Sequence, residues 1–146
     1  MKGLLFFIYG VGSYVVFLAT FLYAIAFVGG FLVPRRLDGP LEGSTAAALA
    51  IDCVLLTIFA VQHSVMARPW FKRWWTRFVP EPIERSTYVL FASLALLLMF
   101  WQWRPLGALQ LWTTTGALAV SVRVLSAAGC GIMLLSTFLI DHFELF

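Results

Sequence analysis

The chain has 146 residues, of which 62% are hydrophobic and 12% are charged, whereas a soluble domain has about 45–50% apolar and about 25% charged residues. This composition excludes a soluble globular domain and predicts an all-α, multi-pass membrane protein, with residues 1–146 forming a single transmembrane helical domain in contact with the lipid bilayer. The net charge of +3 does not indicate a nucleic-acid partner, because the basic residues lie beside apolar segments instead of forming a polar stripe.

The first two apolar segments are each long enough to cross a bilayer, which takes about 20 residues in a helix. The first segment, residues 4–33, contains no charged residue and is followed by Pro34, Arg35 and Arg36. A short polar segment rich in Gly and Pro has the composition of a turn. The second helix is predicted over residues 46–66.

A basic segment, residues 67–86, follows the second helix and is the longest polar stretch of the chain. Its basic residues and tryptophans are Arg68, Lys72, Arg73, Arg77, Arg85, Trp70, Trp74 and Trp75. Such a mixture is typical of a membrane interface. The third helix is predicted over residues 87–103, capped by Ser86 or Thr87, and the fourth over residues 117–140, which makes a bundle of about four transmembrane helices.

The distribution of Lys and Arg predicts the orientation in the membrane. Six basic residues lie on the side that contains Lys2 and the 67–86 loop, and three lie on the other side, namely Arg35, Arg36 and Arg104. The more basic side of a multi-pass protein is usually cytoplasmic. We therefore expect both termini and the basic loop to lie in the cytoplasm.

Ionisable groups inside membrane-spanning helices are costly, so each one is a candidate for function. His63 lies one turn before the end of the second helix, and a histidine side chain exchanges protons near neutral pH. A histidine that only hydrogen-bonds a neighbouring helix is the structural alternative. Asp141 and His142 close the fourth helix on the same side, so His63, Arg85 and His142 could lie at one membrane depth.

The other polar groups within the predicted helices favour structural interpretations. Asp52 falls near the outer end of the second helix, where an interfacial or Arg-paired carboxylate is expected, and Arg123 in the fourth helix could be its partner. Cys53 and Cys130 lie in apolar segments without a CxxC spacing or a His or Asp cluster that could complete a zinc site. No metal is predicted.

Two blocks of the sequence resemble a known family. Residues 62–105 read QHSVMARPWFKRWWTRFVPEPIERSTYVLFASLALLLMFWQWRP, and residues 134–146 read LLSTFLIDHFELF. Both closely resemble the bacterial methanethiol S-methyltransferases, which are membrane enzymes similar to isoprenylcysteine carboxyl methyltransferases and to NnrU-type membrane proteins. The resemblance implies a bacterial inner-membrane enzyme that transfers a methyl group from S-adenosylmethionine to methanethiol, a small thiol, and so makes dimethyl sulfide at the cytoplasmic side.

The candidate site residues follow from their position in these blocks and from their chemistry. His63 is the candidate proton acceptor, and Arg85 is the candidate charge partner for the thiolate. The remaining candidates share a place near the cytoplasmic side and could line the substrate or donor pocket: Gln62, Tyr88, Asp141 and His142.

One departure from the family concerns the methyl donor. Members continue beyond the DHFELF-like block into an Arg-His-Pro-x-Tyr-x-Gly motif and an acidic pair that resembles a donor site, and this chain contains neither. The chain is therefore expected to be the N-terminal part of the enzyme, with little turnover alone.

Two other classes of function stay open, as does the oligomeric state. One is a non-catalytic NnrU-like membrane protein. The other is a small transporter or channel subunit in which Asp52 and Arg123 would line a polar pathway. The sequence disfavours the transporter, because it lacks internal repeats and helices with paired Gly or Pro interruptions.

Overall fold

The computed structural model describes residues 2–41, 43–107 and 113–139. Its α-helices are α1 (Lys2–Gly29), α2 (Thr45–Met66), α3 (Pro69–Trp75), α4 (Glu84–Gln102) and α5 (Gly116–Leu139), and a 3₁₀ turn, Glu81–Ile83, precedes α4. Four of the helical segments are long and apolar enough to cross a membrane: α1, α2, the 3₁₀ turn with α4, and α5. The predicted all-α fold with four such helices is confirmed.

The chain divides into two compact units, one containing α1 to α4 and the other containing α5. Within α5, every side chain that the structure describes, up to Ser136, is at least partly exposed. A single domain over residues 1–146 stays a prediction.

In the first unit, α4 packs against both α1 and α2. Contacts of α1 with α4 run from Tyr9 with Thr87 to Phe27 with Trp103, so these two helices are parallel. Contacts of α2 with α4 run from His63 with Tyr88 to Asp52 with Arg104, so these two are antiparallel. We call the end with the start of α1, the end of α2 and the start of α4 the His63 end, and the opposite end the Asp52 end.

The interface between α1 and α4 is built on a seven-residue repeat, which is the period of coiled coils. Buried residues recur at this interval on both helices: Ser13, Thr20 and Phe27 on α1, and Ser86, Ser93 and Phe100 on α4. Small side chains at such a seam let helix backbones approach closely within a bilayer. The hydroxyls of Ser13, Thr20 and Ser93 donate to the carbonyl four residues earlier in their own helix, so they are satisfied although buried.

Helix α1 ends at Gly29, four residues before the end of the apolar segment from which its length was predicted. Gly30 has a φ of +71°, a left-handed conformation that glycine adopts without a steric penalty. The N–H of Phe31 donates to the carbonyl of Ala26 at 3.1 Å, as in a Schellman helix end. The backbone therefore stops the helix where hydropathy alone would extend it.

The predicted cap of the third helix is wrong, because α4 begins at Glu84 and Ser86 and Thr87 lie inside its first turn. The N-cap residue is Ile83, without a side-chain cap. The Thr87 hydroxyl lies 2.7 Å from the Ile83 carbonyl and 3.0 Å from the Tyr9 hydroxyl, so it serves packing against α1. The preceding 3₁₀ turn, with proline at its start, begins the helix instead.

Candidate functional site

His63 lies in the last turn of α2, with its imidazole exposed at the His63 end. Phe59, one turn earlier on the same side of the helix, stacks on the imidazole with ring centroids 5.4 Å apart and planes inclined by 27°. This contact covers one face of the ring and leaves its nitrogens to other partners.

Tyr88 of α4 supplies a polar contact to His63. Its hydroxyl oxygen lies 2.9 Å from Nδ1 and 3.2 Å from Nε2, so it faces the edge of the ring between the two nitrogens. A phenol can donate or accept a hydrogen bond, and the bond to one nitrogen decides which tautomer of the imidazole is favoured. The pair joins α2 to α4 and places a proton-exchanging ring in a defined orientation.

Gln62, next to His63, contributes an amide to the same end. Its Nε2 donates to the sulfur of Met66 at 3.2 Å, which anchors the side chain along α2. Its Oε1 is buried and has no hydrogen-bond partner among the residues that the structure describes. Since buried acceptors are rarely left without a donor, this oxygen is a candidate acceptor for a bound polar group.

Arg85 is exposed at the start of α4, three residues before Tyr88 and thus on the same side of the helix. In the structure, His63 contacts Tyr88 directly. Gln62 precedes His63 in the sequence, and Arg85 lies about one turn before Tyr88. Convergence of all four around one substrate stays a prediction. Asp141 and His142 lie outside the described residues.

The Asp52 end has a different construction, based on backbone groups. Asp52 is 3% exposed, and its Oδ1 accepts from the Arg104 backbone N–H at 2.9 Å. The indole N–H of Trp103 donates to the Leu37 carbonyl at 3.2 Å. The chain thus places Asp52 against the end of α4. Sequence reasoning missed Arg104, because a backbone donor has no signature in the side-chain pattern, and pairing of Asp52 with Arg123 stays a prediction.

A cleft of about 620 Å³ also lies at the Asp52 end, lined by six residues of the 34–40 turn and by Pro105. Asp52 and His63 are eleven residues apart on α2, which corresponds to about 16 Å along the helix axis. The cleft is therefore remote from His63 and Tyr88 and is not part of their site.

At the His63 end, the Glu84 carboxylate lies 4.0 Å from the Lys72 ammonium in an ion pair. Within the described ranges, no three His, Cys, Asp or Glu side chains are grouped as metal ligands. The polar groups described at this end are the His63 imidazole, the Tyr88 hydroxyl that contacts it and the amide oxygen of the neighbouring Gln62.

The helices and this polar end define a polytopic membrane protein with a histidine–tyrosine pair at one end of its helices. Comparison with known proteins then names its relatives. The chain is 56% identical over 140 residues to methanethiol S-methyltransferase 1 of Bradyrhizobium diazoefficiens, 54% over 146 residues to the methanethiol S-methyltransferase of Mycobacterium tuberculosis, and 52% over 140 residues to that of Crocosphaera subtropica. It is a homologue of the methanethiol S-methyltransferases.

These alignments cover 96%, 100% and 95% of the chain, but 49%, 60% and 54% of the three relatives. The chain thus spans about half to three fifths of their length. Nurim of Mus musculus is 42% identical over 68 residues, which is 45% of the chain and 26% of Nurim. No family profile and no solved structure matches the chain.

Proposed function

We propose that the protein carrying this chain transfers a methyl group from S-adenosylmethionine to methanethiol, which yields dimethyl sulfide, and that the His63 end handles the thiol. The relatives named for this reaction are 52–56% identical along nearly the whole chain. The observation that carries the assignment to a site is the contact of His63 with the Tyr88 hydroxyl at 2.9 Å.

The proposed role of His63 is to accept the thiol proton. The Tyr88 hydroxyl lies within reach of both ring nitrogens; in the proposed tautomer the nearer nitrogen, Nδ1, carries the hydrogen and donates it to the phenol oxygen, so Nε2 keeps its lone pair. That nitrogen takes the proton from the thiol S–H, and the resulting thiolate sulfur forms the new bond to carbon. General bases of this kind typically contribute about 10²–10⁴-fold to a rate.

Other residues at this end assist in orientation and charge. Phe59 stacks on His63 and keeps water from one face of the imidazole. The partnerless Gln62 Oε1 can accept a weak hydrogen bond from the S–H group before the proton moves. Arg85 stabilises the negative charge on the thiolate, as charge-assisted contacts of guanidinium groups do. Holding the thiol beside its base supplies the entropic part of the rate enhancement.

S-adenosylmethionine supplies an electrophilic methyl group on a positively charged sulfur. The attack of a thiolate on such a sulfonium neutralises both charges, so an environment poorer in water than the cytosol favours it. The ends of membrane-spanning helices are such an environment, which is consistent with the reaction being placed there.

We also propose that both termini lie in the cytoplasm of a bacterial cell and that the His63 end faces it. Two features support this orientation: the six-to-three excess of basic residues, and the common end shared by the start of α1, the end of α2 and the start of α4. A cytoplasm-specific reporter inserted in the 67–80 loop should be active, and one inserted in the 37–44 turn should be silent. The reverse pattern would contradict the orientation.

The central experiment replaces His63 with Ala and measures dimethyl sulfide by headspace gas chromatography, normalised to folded protein. The host protein is a fusion of this chain with the part of the Mycobacterium tuberculosis relative that the chain does not cover, where the donor motif implied by the family resemblance is expected. We expect turnover to fall by about 10²-fold or more, as for the loss of a general base. The control, Thr57→Ala, changes an exposed residue of α2 whose hydroxyl only contacts the Cys53 carbonyl, and it should keep full turnover.

Two results would contradict the proposal. Unchanged turnover per folded molecule in His63→Ala would make the histidine structural. No product from the unaltered fusion would favour a non-catalytic, NnrU-like membrane protein. The chain should also be assayed alone, with little or no product expected, since donor-dependent turnover there would place the donor site within residues 1–146.

A further inference from the structure

We propose that α3 and the turn after it, residues 68–78, form a binding surface for acidic phospholipid headgroups. This surface, called the 68–78 surface below, connects α2 to α4 at the His63 end. Both neighbouring helices are long and apolar enough to cross a membrane. Only Ala67 and Arg68 separate the end of α2 from α3. The surface is therefore held at the edge of the bilayer whatever else the protein does.

Three of its aromatic side chains are turned outward in a row. Trp70, Trp74 and Phe78 are 56%, 46% and 69% exposed. Trp70 and Trp74 are four residues apart and thus share one side of α3, and the Phe78 ring continues the row with its centroid 5.5 Å from that of Trp74. Exposed tryptophans at the end of membrane-spanning helices typically lie at the level of the lipid headgroups.

A second set of rings holds this row in place. Phe71 stacks on Trp75 at 5.8 Å, and Trp75 makes an edge contact with Phe91 of α4 at 6.4 Å. Phe71 also contacts Trp70 and Trp74, at 5.8 and 5.4 Å. The exposed rings of Trp70 and Trp74 thus pack on Phe71 and Trp75, and the contact of Trp75 with Phe91 holds them in position relative to α4.

The charge of the surface selects the kind of lipid. Residues 67–80 contain four basic side chains and no carboxylate. Lys72 pairs with Glu84 at 4.0 Å, whereas Arg68, Arg73 and Arg77 are exposed. Arg73 and Arg77 are four residues apart and each directly precedes a ring of the row. Guanidinium groups bind phosphate oxygens through two parallel hydrogen bonds. A phospholipid on this surface would therefore place its phosphate against the arginines and its acyl chains against the aromatic rings.

An acidic phospholipid fits both features, whereas an acidic protein would leave the aromatic row without an apolar partner. Basic residues next to a bilayer also gain affinity from its negative surface potential. The inference does not depend on the proposed methyl transfer, because it rests on the position, exposure and charge of this segment alone.

The test uses the purified chain in vesicles of equal parts phosphatidylglycerol and phosphatidylcholine, with only one of the two lipids brominated. Bromine quenches tryptophan fluorescence on contact, so the ratio of quenching in the two preparations gives the relative affinity for the acidic lipid. We expect stronger quenching by brominated phosphatidylglycerol at low salt, and a smaller difference at high salt because of screening.

The decisive variant is Arg68→Gln/Arg73→Gln/Arg77→Gln, for which the preference for phosphatidylglycerol should fall by about fivefold for each arginine removed. The matched control, Arg35→Gln/Arg36→Gln, removes exposed arginines at the Asp52 end and should keep the preference. Equal quenching by the two lipids in the unaltered chain, or an equal loss in the control, would overturn the proposal. Reversal of the quenching by millimolar inorganic phosphate would indicate a small-anion site instead of a lipid surface.

Discussion

The two ends of the α1–α4 unit use polar residues in opposite ways. At the Asp52 end, a buried carboxylate and an indole bond to backbone groups, at Arg104 and Leu37. At the His63 end, side chains bond to side chains, and the imidazole of His63 stays exposed. The comparison teaches that two ionisable residues of one helix, α2, differ in burial and in the nature of their partners, which fits a structural role for Asp52 and the proposed chemical role for His63.

The largest effect on stability is expected from Asp52→Ala. It leaves the Arg104 N–H without its acceptor in a buried place, which should lower the free energy of unfolding by about 3 kcal/mol. Unfolding by sodium dodecyl sulfate in mixed micelles measures the change. Asp38→Ala is the control, because Asp38 is exposed in the neighbouring turn and its loss should change stability by no more than about 0.5 kcal/mol. Equal effects of the two substitutions would mean that Asp52 is not a structural anchor.

A smaller effect at the same end is expected from Gly107→Ala. The N–H of Gly107 donates to the Gly39 carbonyl at 3.1 Å, and an added Cβ would overlap that carbonyl oxygen. The contact between the two turns would open, at a cost of about 2 kcal/mol, typical of steric overpacking. In the control, Gly12→Ala, the new Cβ meets nothing within 4 Å, and the better helix propensity of alanine should leave stability equal or higher. An unchanged free energy of unfolding for Gly107→Ala would show that the two turns do not depend on the close contact between the Gly107 and Gly39 backbones.

The smallest effect sharpens the comparison at the His63 end. Tyr88→Phe keeps the ring but removes the hydroxyl that orients His63, so turnover in the fusion should fall by about fivefold to tenfold, the value of one hydrogen bond. The free energy of unfolding of Tyr88→Phe should hardly change. Tyr9→Phe is the matched control, because it removes another tyrosine hydroxyl at this end, one that contacts Thr87; it should lower stability and leave turnover per folded molecule intact. The opposite outcome for the two tyrosines would reverse their assigned roles.

The sequence predicts the membrane-spanning helices well because length and hydropathy determine them, and α2 begins at Thr45 where residue 46 was predicted. It predicts the ends of helices less well where the backbone decides. Gly30 stops α1 inside an apolar segment, and α3 is only seven residues long, too short for its periodicity to stand out in a polar loop.

The candidate site also divides into contacts that a sequence pattern indicates and contacts that depend on backbone groups and helix packing. His63 and Tyr88 both lie in the block of residues 62–105 that resembles the methanethiol S-methyltransferases, and their side chains are in contact. The contact between Asp52 and the backbone of Arg104 joins positions 52 residues apart through a group that every residue possesses. Such a contact depends on where α4 ends relative to α2, which is a property of the packed helices and not of a local pattern.

The seven-residue seam of α1 and α4 bears on how the protein is made. The two helices are neighbours in space, but α2 and the 68–78 surface are synthesised between them, and residues 30–83 take about 3–11 s to translate at about 5–20 residues per second. During this interval α1 sits in the bilayer without its partner. Because Ser13 and Thr20 donate to carbonyls of their own helix, these two hydroxyls are satisfied before α4 arrives, and α4 can dock later without any exchange of their hydrogen bonds.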